Sequence, residues 1–392
     1  MYSLSQRLKW DSRPTPFSEA ILQQRRQPGE LLDLTSSNPT AVDLPYPNRE
    51  IACALSTIPS LAYDPQPLGQ WEARKAISAY YGDRGFDVHP SRIVVTASSS
   101  EAYSYLFKLL CDPGDEMLSP KPSYPLFEYL AALDSIRVQP YWVTYDGAWY
   151  TDLDDLESRI TDRTRGIILV NPNNPTGSFL KAGEADRLCA LARRRSLPLI
   201  SDEVFMDYEL CEGTQRVLSL TGRSDTLSFS LNGLSKSAAM PQMKIGWIVI
   251  NGPTEQVEAA RQGLELIADT YLSVSSPCQL VLPQLINLGA GIRSCIRERI
   301  LGNAQALQDL LRGSPAHPLY TEGGWSSIVQ LPQTLPEEDW VMRLLTRYGV
   351  IVQPGYLFDM PGEPFAVVSL LTPTGKFVEG VTAMRAASEE EG

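Results

Sequence analysis

A lysine just beyond a β-like run is the residue best placed to do covalent chemistry in this sequence. The run 226–231 (TLSFSL) is followed by Asn232-Gly233-Leu234-Ser235-Lys236, and Lys244 lies eight residues further on, before Ile245-Gly246-Trp247. A single loop lysine is usually a solvated charge. One flanked by small residues at the mouth of a sheet, near a carboxylate, an amide and an anion-binding cup, suits a Schiff-base nucleophile. The run 197–201 delivers Asp202-Glu203, where a carboxylate can pair with a buried cation, although a lone Asp there more often caps a helix. The run 92–97 leads into Ser98-Ser99-Ser100-Glu101 at the start of a helical pattern reaching about Cys111. Free backbone N–H groups, hydroxyls and the helix dipole make that an anion site suited to a phosphate, with a plain serine N-cap as the simpler alternative. The run 166–171 ends in Asn171-Pro172-Asn173-Asn174-Pro175-Thr176-Gly177, an ordinary turn composition but an unusually specific string.

These groups need a scaffold that collects strand ends. Seven β-like runs (92–97, 116–120, 137–143, 166–171, 197–202, 226–231 and 245–250) alternate with helical patterns such as 184–195, where Leu188, Leu191 and Ala192 share a face. Several runs are continuously apolar, as strands buried on both faces are. The pattern predicts an α/β fold, a three-layer sandwich around a mostly parallel seven-stranded sheet, with ligands beyond the carboxyl ends of the strands. Helical patterns at 255–267 and 291–311, short strands near 326–331, 350–353 and 365–370, and a final helix carrying Phe377, Val381 and Met384 predict a smaller α+β domain. The expected division is a large domain over 46–275 and a small domain built from 1–45 and 276–392. The tail 388–392 (SEEEG) reads as a solvated acidic end.

Composition narrows the function classes. The 392 residues carry a net charge of −12, which argues against a nucleic-acid or anionic-membrane partner. Two histidines, His89 and His317, exclude a His-rich metal centre, and six scattered cysteines without a C-x-x-C pair read as buried thiols in a reducing compartment. The first thirty residues lack a signal-peptide core, and no run approaches the ~20 apolar residues that span a bilayer. The expectation is a cytoplasmic protein.

In order, Tyr63 with Gly69 (YDPQPLG), the serine loop, Pro122-Ser123-Tyr124, NPNNPTG, SDEVF, LSK and Gln353-Pro354-Gly355 resemble the markers of aspartate-aminotransferase-type, pyridoxal-phosphate-dependent enzymes of aminotransferase class I/II. The resemblance covers about 32–381. It implies that pyridoxal 5′-phosphate is the cofactor and Lys236 its covalent anchor and proton carrier, with Asp202 paired to the pyridine nitrogen. It also implies Asn174 on the ring 3-oxygen, Tyr124 on the ring face, Ser99 and Ser100 on the phosphate, and Lys244 in the place of a phosphate-binding arginine. Tyr63 would arrive from a second subunit, so the resemblance implies a homodimer with shared sites. Amine and carbonyl compounds are the implied substrates, with Asn38 and Trp325 on the substrate side.

The departures from the family pattern are at named positions. Lys244 exchanges a forked guanidinium for a point charge. Gly233 stands where relatives place a serine, and Phe205 where they place a tyrosine. Val367, in Ala366-Val367-Val368-Ser369, stands where an arginine grips the substrate carboxylate. The expected activity is amino-group transfer between an amino donor and a 2-oxo acid or other carbonyl acceptor. A lyase or cyclising synthase on the same fold is the alternative.

Overall fold

The computed structural model describes residues 5–8, 13–58, 62–213, 215–362 and 364–391. Its strands, in chain order, are β1 (Leu32–Asp33), β2 (Ile93–Thr96), β3 (Glu116–Lys121), β4 (Arg137–Tyr145), β5 (Trp149–Thr151), β6 (Thr164–Val170), β7 (Leu199–Asp202), β8 (Ser228–Gly233), β9 (Gly246–Asn251), β10 (His317–Pro318), β11 (Ser326–Gln330), β12 (Val350–Ile351), β13 (Gln353–Pro354) and β14 (Phe365–Ser369).

The large sheet runs β2-β9-β8-β7-β6-β3-β4-β5. Parallel pairing joins β4, β3, β6, β7 and β8, while β9 lies antiparallel between β8 and β2. Every residue of β9 and β8 is buried, because helices cover both faces and alternate side chains have apolar partners on each side. Ile93 and Val95 point into a core shared with Ile77, Leu285 and Trp247, whereas Val94 points into one shared with Leu106, Phe229 and Leu264. This is the expected three-layer α/β sandwich, with eight strands where the sequence predicts seven. The additional strand is β5, a three-residue antiparallel edge paired through Val143↔Thr151 and too short to carry a period.

The remaining strands form a four-stranded antiparallel sheet, β10-β11-β14-β13, and a parallel pair, β1-β12. That pair joins Leu32 to Val350 and Asp33 to Ile351, tying the N-terminal segment to the C-terminal part of the chain. Leu34 then sits against Gly380 of the helix Thr374–Glu391 so closely that a Cβ there would come within 2.9 Å of the leucine side chain.

Two sequence expectations need correction. The acidic tail is solvated at Glu389 and Glu390 as expected, but it is not a free end: the last helix runs through Glu391, Ser388 is fully buried against Ser314, and Arg343 pairs with Glu390 and Glu391. The cysteines are all free thiols, but only Cys189 is buried and Cys53 is exposed. Among the described residues no helix is long and apolar enough to cross a membrane.

Candidate active site

The carboxyl ends of β2, β6, β7 and β8 open on one cavity of about 230 Å³. Ser99, Ser100, Tyr124, Asn174, Asp202, Lys236 and Trp325, all expected at the site, line it. Each is held by its own local arrangement.

The serine loop starts the helix Ser99–Leu110 with a closed cap. Ser98 Oγ accepts from the Glu101 amide at 3.1 Å, and Glu101 Oε2 accepts from the Ala97 amide at 2.6 Å. Ser98 is therefore committed to the helix, leaving Ser99 and Ser100 facing the cavity. Gly246 backs this turn: a Cβ there would lie 2.8 Å from the Ser98 carbonyl carbon and 3.0 Å from the Ser99 nitrogen. Any larger residue would push the helix start into the cavity.

Asp202 closes β7. Its Oδ1 accepts from the Val204 amide at 3.2 Å and its Oδ2 from the Tyr103 hydroxyl at 3.1 Å. Burial pushes its carboxyl up to about 6, opposed by those two donors and by the nearby positive charge of Lys236. Tyr103 is itself buried, and burial together with Asp202 holds its hydroxyl well above the ordinary phenol range, so it stays a donor. Sequence reasoning missed Tyr103. Its signal was its position, four residues after Ser99 on the same helix and hence on the same face.

Lys236 lies in the single helical turn Leu234–Ser237 that follows β8. The turn is clamped from behind, because the Lys236 carbonyl accepts from the Tyr208 hydroxyl at 2.6 Å and the Ser237 carbonyl from Arg293 at 2.6 Å. The Lys236 ammonium sits 4.4 Å from the centre of the Trp325 ring and 5.4 Å from that of Phe205, and its Nζ is 3.5 Å from the Ser37 carbonyl. Burial lowers its pKa to about 8 against the opposing pull of Asp202, which favours the free amine relative to an exposed lysine. Gly233 has no room for a serine: its Cβ would meet the Ile245 carbonyl at 2.9 Å and Gly246 Cα at 3.0 Å.

Asn174 reaches the cavity from a braced loop. Asn171 accepts from the Leu180 amide and donates to the Val217 carbonyl, and Asn173 accepts from Thr176. Gly177 takes a positive φ of 70° and packs onto residues 321–323, where a Cβ would fall 2.4 Å from the Gly323 carbonyl. The same contact brings Trp325 to the cavity floor, edge-on to Phe205 and Tyr208.

Three expected site residues lie elsewhere. Lys244 adopts a left-handed backbone, φ 52°, and its exposed side chain is not among the cavity residues; the strand it enters carries glycine, not a cation, to the serine turn. Asn38 is exposed and caps a short turn through Thr40, while its neighbour Ser37 lines the cavity. Tyr63 is 77% exposed and borders a separate cleft with Gly69 and Leu272. Val367 packs among Phe358, Met360 and Phe365, one strand repeat below Ser369, which does line the cavity.

Glu203, the next residue after Asp202, points the other way. Ser219, the Leu220 amide and Ser230 donate to it, yet full burial raises its carboxyl to about 7. Its folded pKa exceeds the unfolded one, so the native state holds the extra proton and stability from this group falls as pH rises from about 4.5 to about 7. Against a Glu203→Gln variant, cofactor-free wild-type protein should lose on the order of 3 kcal/mol across that window. Urea unfolding at a series of pH values checks this, and parallel profiles for the two proteins would contradict it.

Comparison with known proteins adds family information. The sequence profile of aminotransferase class I and II matches residues 47–367. Glutamate-pyruvate aminotransferase AlaA of Escherichia coli K12 is 32% identical over 251 residues, which span 64% of this chain and 62% of that protein's length. Alanine aminotransferase of Mycobacterium tuberculosis H37Rv is 28% identical over 84% of this chain and 79% of its own. In fold, the chain matches a crystal structure of an Escherichia coli aminotransferase with a TM-score of 0.86, 24% identity and full coverage of both chains. It matches alanine aminotransferase from Pyrococcus furiosus at 0.87, with 23% identity over 99% of this chain and 100% of that one.

Proposed function

Because the chain belongs to the aminotransferase class I and II family, we propose that it is a pyridoxal-phosphate-dependent aminotransferase moving an amino group between an amino donor and a 2-oxo acid or other carbonyl acceptor. The observation that carries this reading is one cavity in which a buried carboxylate, a lysine of lowered pKa and a helix start with two uncommitted serines face one another.

The donor set fits pyridoxal phosphate on chemical grounds. Ser99, Ser100 and the amides beside them suit a phosphate, with Gly246 keeping that turn open. Asp202 suits a protonated ring nitrogen, Asn174 a ring oxygen, and Tyr124 an aromatic face. When bound, the cofactor supplies an electron sink for the bond broken at the substrate carbon. The chain's own residues do the rest. Lys236 anchors covalently through Nζ and, once released, takes up and returns a proton at that atom. Asp202, kept ionised by Tyr103 and the Val204 amide, holds positive charge at the far end of the cavity. Trp325 and Phe205 exclude water around Nζ.

Phe205 offers no hydroxyl to the ring oxygen, which leaves Asn174 as the side-chain donor there. Its Oδ1 already accepts from Ser326 at 3.3 Å, orienting the amide nitrogen as the free donor. Turnover with amino acids, amino alcohols and amines paired with 2-oxo acid and aldehyde acceptors tests the activity. Carbonyl product without a new amino compound would contradict it.

The working unit in this reading is a homodimer in which Tyr63 of one copy serves the cavity of the other, consistent with its exposure and its place outside the cavity lining of its own chain. Mixing inactive Lys236→Ala and weakened Tyr63→Phe chains should restore part of the activity, because one hybrid site then has both residues. No recovery from a mixture shown to exchange subunits would contradict shared sites.

A further inference from the structure

We propose that the substrate sharing this cavity presents an uncharged end, as an amine or amino alcohol does, in place of the carboxylate of an amino acid; this rests on the cofactor reading above. Among the described residues lining the cavity only Asp202 and Lys236 carry charge. Lys236 is the covalent anchor, and Asp202 is negative.

The wall that includes β11 and β14 is neutral, and two of its hydroxyls are already engaged. Its polar members are Ser37, Asn174, Ser326 and Ser369, with Ser326 and Ser369 directly paired across β11 and β14. Ser369 Oγ donates to the Ser36 carbonyl at 2.6 Å and accepts from the Leu371 amide at 3.2 Å. Ser326 Oγ donates to Asn174 Oδ1 at 3.3 Å. One repeat along β14, where a cationic side chain could reach this wall, Val367 is 1% exposed in an apolar cluster.

The floor adds to the bias. Trp325 and Phe205 turn electron-rich rings toward the place where the ammonium of Lys236 sits, a surface that favours neutral or cationic groups and repels anions. The indole nitrogen of Trp325 is buried without a hydrogen-bond partner, a single neutral donor suited to a hydroxyl or carbonyl oxygen. A carboxylate here would be desolvated in the same cavity as Asp202, and among the described lining residues the one cation is Lys236, which is the covalent anchor.

The test uses two aminooxy reagents of matched size that react with the cofactor carbonyl and need no amino transfer, so it stands even if the aminotransferase reading fails. O-ethylhydroxylamine and aminooxyacetate are added to the full-length, cofactor-loaded protein at high salt, which screens the net charge of −12. Each rate, followed by cofactor absorbance, is divided by the rate with free pyridoxal phosphate. The neutral reagent should be favoured at least about tenfold, and Ser326→Lys should raise the relative rate of aminooxyacetate at least about tenfold. Equal or faster reaction of aminooxyacetate with the unmodified protein would overturn the proposal, as would an unchanged preference in a folded Ser326→Lys protein.

Discussion

Replacing Lys236 by alanine is expected to abolish the covalent link to the cofactor and to lower amino transfer by ~10³-fold or more, since both anchoring and proton transfer are assigned to one nitrogen. Borohydride reduction followed by peptide mapping reads the first effect. Wild-type protein should carry the label on the peptide containing Lys236, and the variant should carry none. The fold should survive, because the turn is held through main-chain carbonyls by Tyr208 and Arg293, which the substitution leaves in place. A label retained on another lysine would overturn the assignment. Lys244 is the nearest alternative in sequence, and its exposed side chain makes that outcome an unequivocal contradiction.

Replacing Asp202 by asparagine is expected to leave the covalent link intact and to slow proton removal by ~10²–10³-fold, the scale of losing one preorganised electrostatic partner. Tyr103→Phe is a graded version of the same change. It removes one of two donors that oppose the effect of burial, so the Asp202 carboxyl should rise further above its value of about 6. Cofactor affinity depends on the ionised form and is lost as pH falls through that region, so the acid limb of the binding curve should move to higher pH in Tyr103→Phe. At neutral pH a tenfold or greater loss of affinity is expected, since hydrogen bonds to charged groups contribute roughly 1.5–3 kcal/mol. Fluorescence titration of the cofactor-free proteins measures this, and a superimposable pH profile would show that Tyr103 only packs.

Much of this site is legible in the amino-acid sequence, because each functional group follows a strand whose apolar run marks where the chain leaves the sheet. Lys236, Asp202, Asn174, Ser99 and Ser100 are recognisable that way, and the sheet gathers all five. Tyr103 is not, because its partner lies 99 residues away and a tyrosine on a helix reads as core. Ser37, Ser326 and Ser369 are illegible as wall residues for the same reason: their neighbourhood is set by the β11–β14 register and the fold-back of the N-terminal segment. Lys244 has the family's spacing from Lys236, but it is exposed with a left-handed backbone and does not line the cavity, and Gly246 is the residue packed against the serine turn. Asn38 spends its Oδ1 on the cap at Thr40, and its neighbour Ser37 is the residue that lines the cavity.

The strand count shows the limit of periodicity. Seven strands of four or more residues are recognisable, and β5, with three, is defined only by pairing to β4. At the end of the chain, a run of acidic residues suggests solvation, whereas Arg343 and Arg347 pair with Glu390 and hold the final turn.

The most direct test of amino transfer is the half-reaction. Protein loaded with pyridoxal phosphate is mixed with a panel of amino acids, amino alcohols and amines in the absence of any acceptor, and the cofactor is released and identified. Stoichiometric conversion to pyridoxamine phosphate by at least one donor, with the matching carbonyl product, is the predicted result. Cofactor recovered unchanged across the whole panel, from protein whose Lys236 carries the borohydride label, would contradict it.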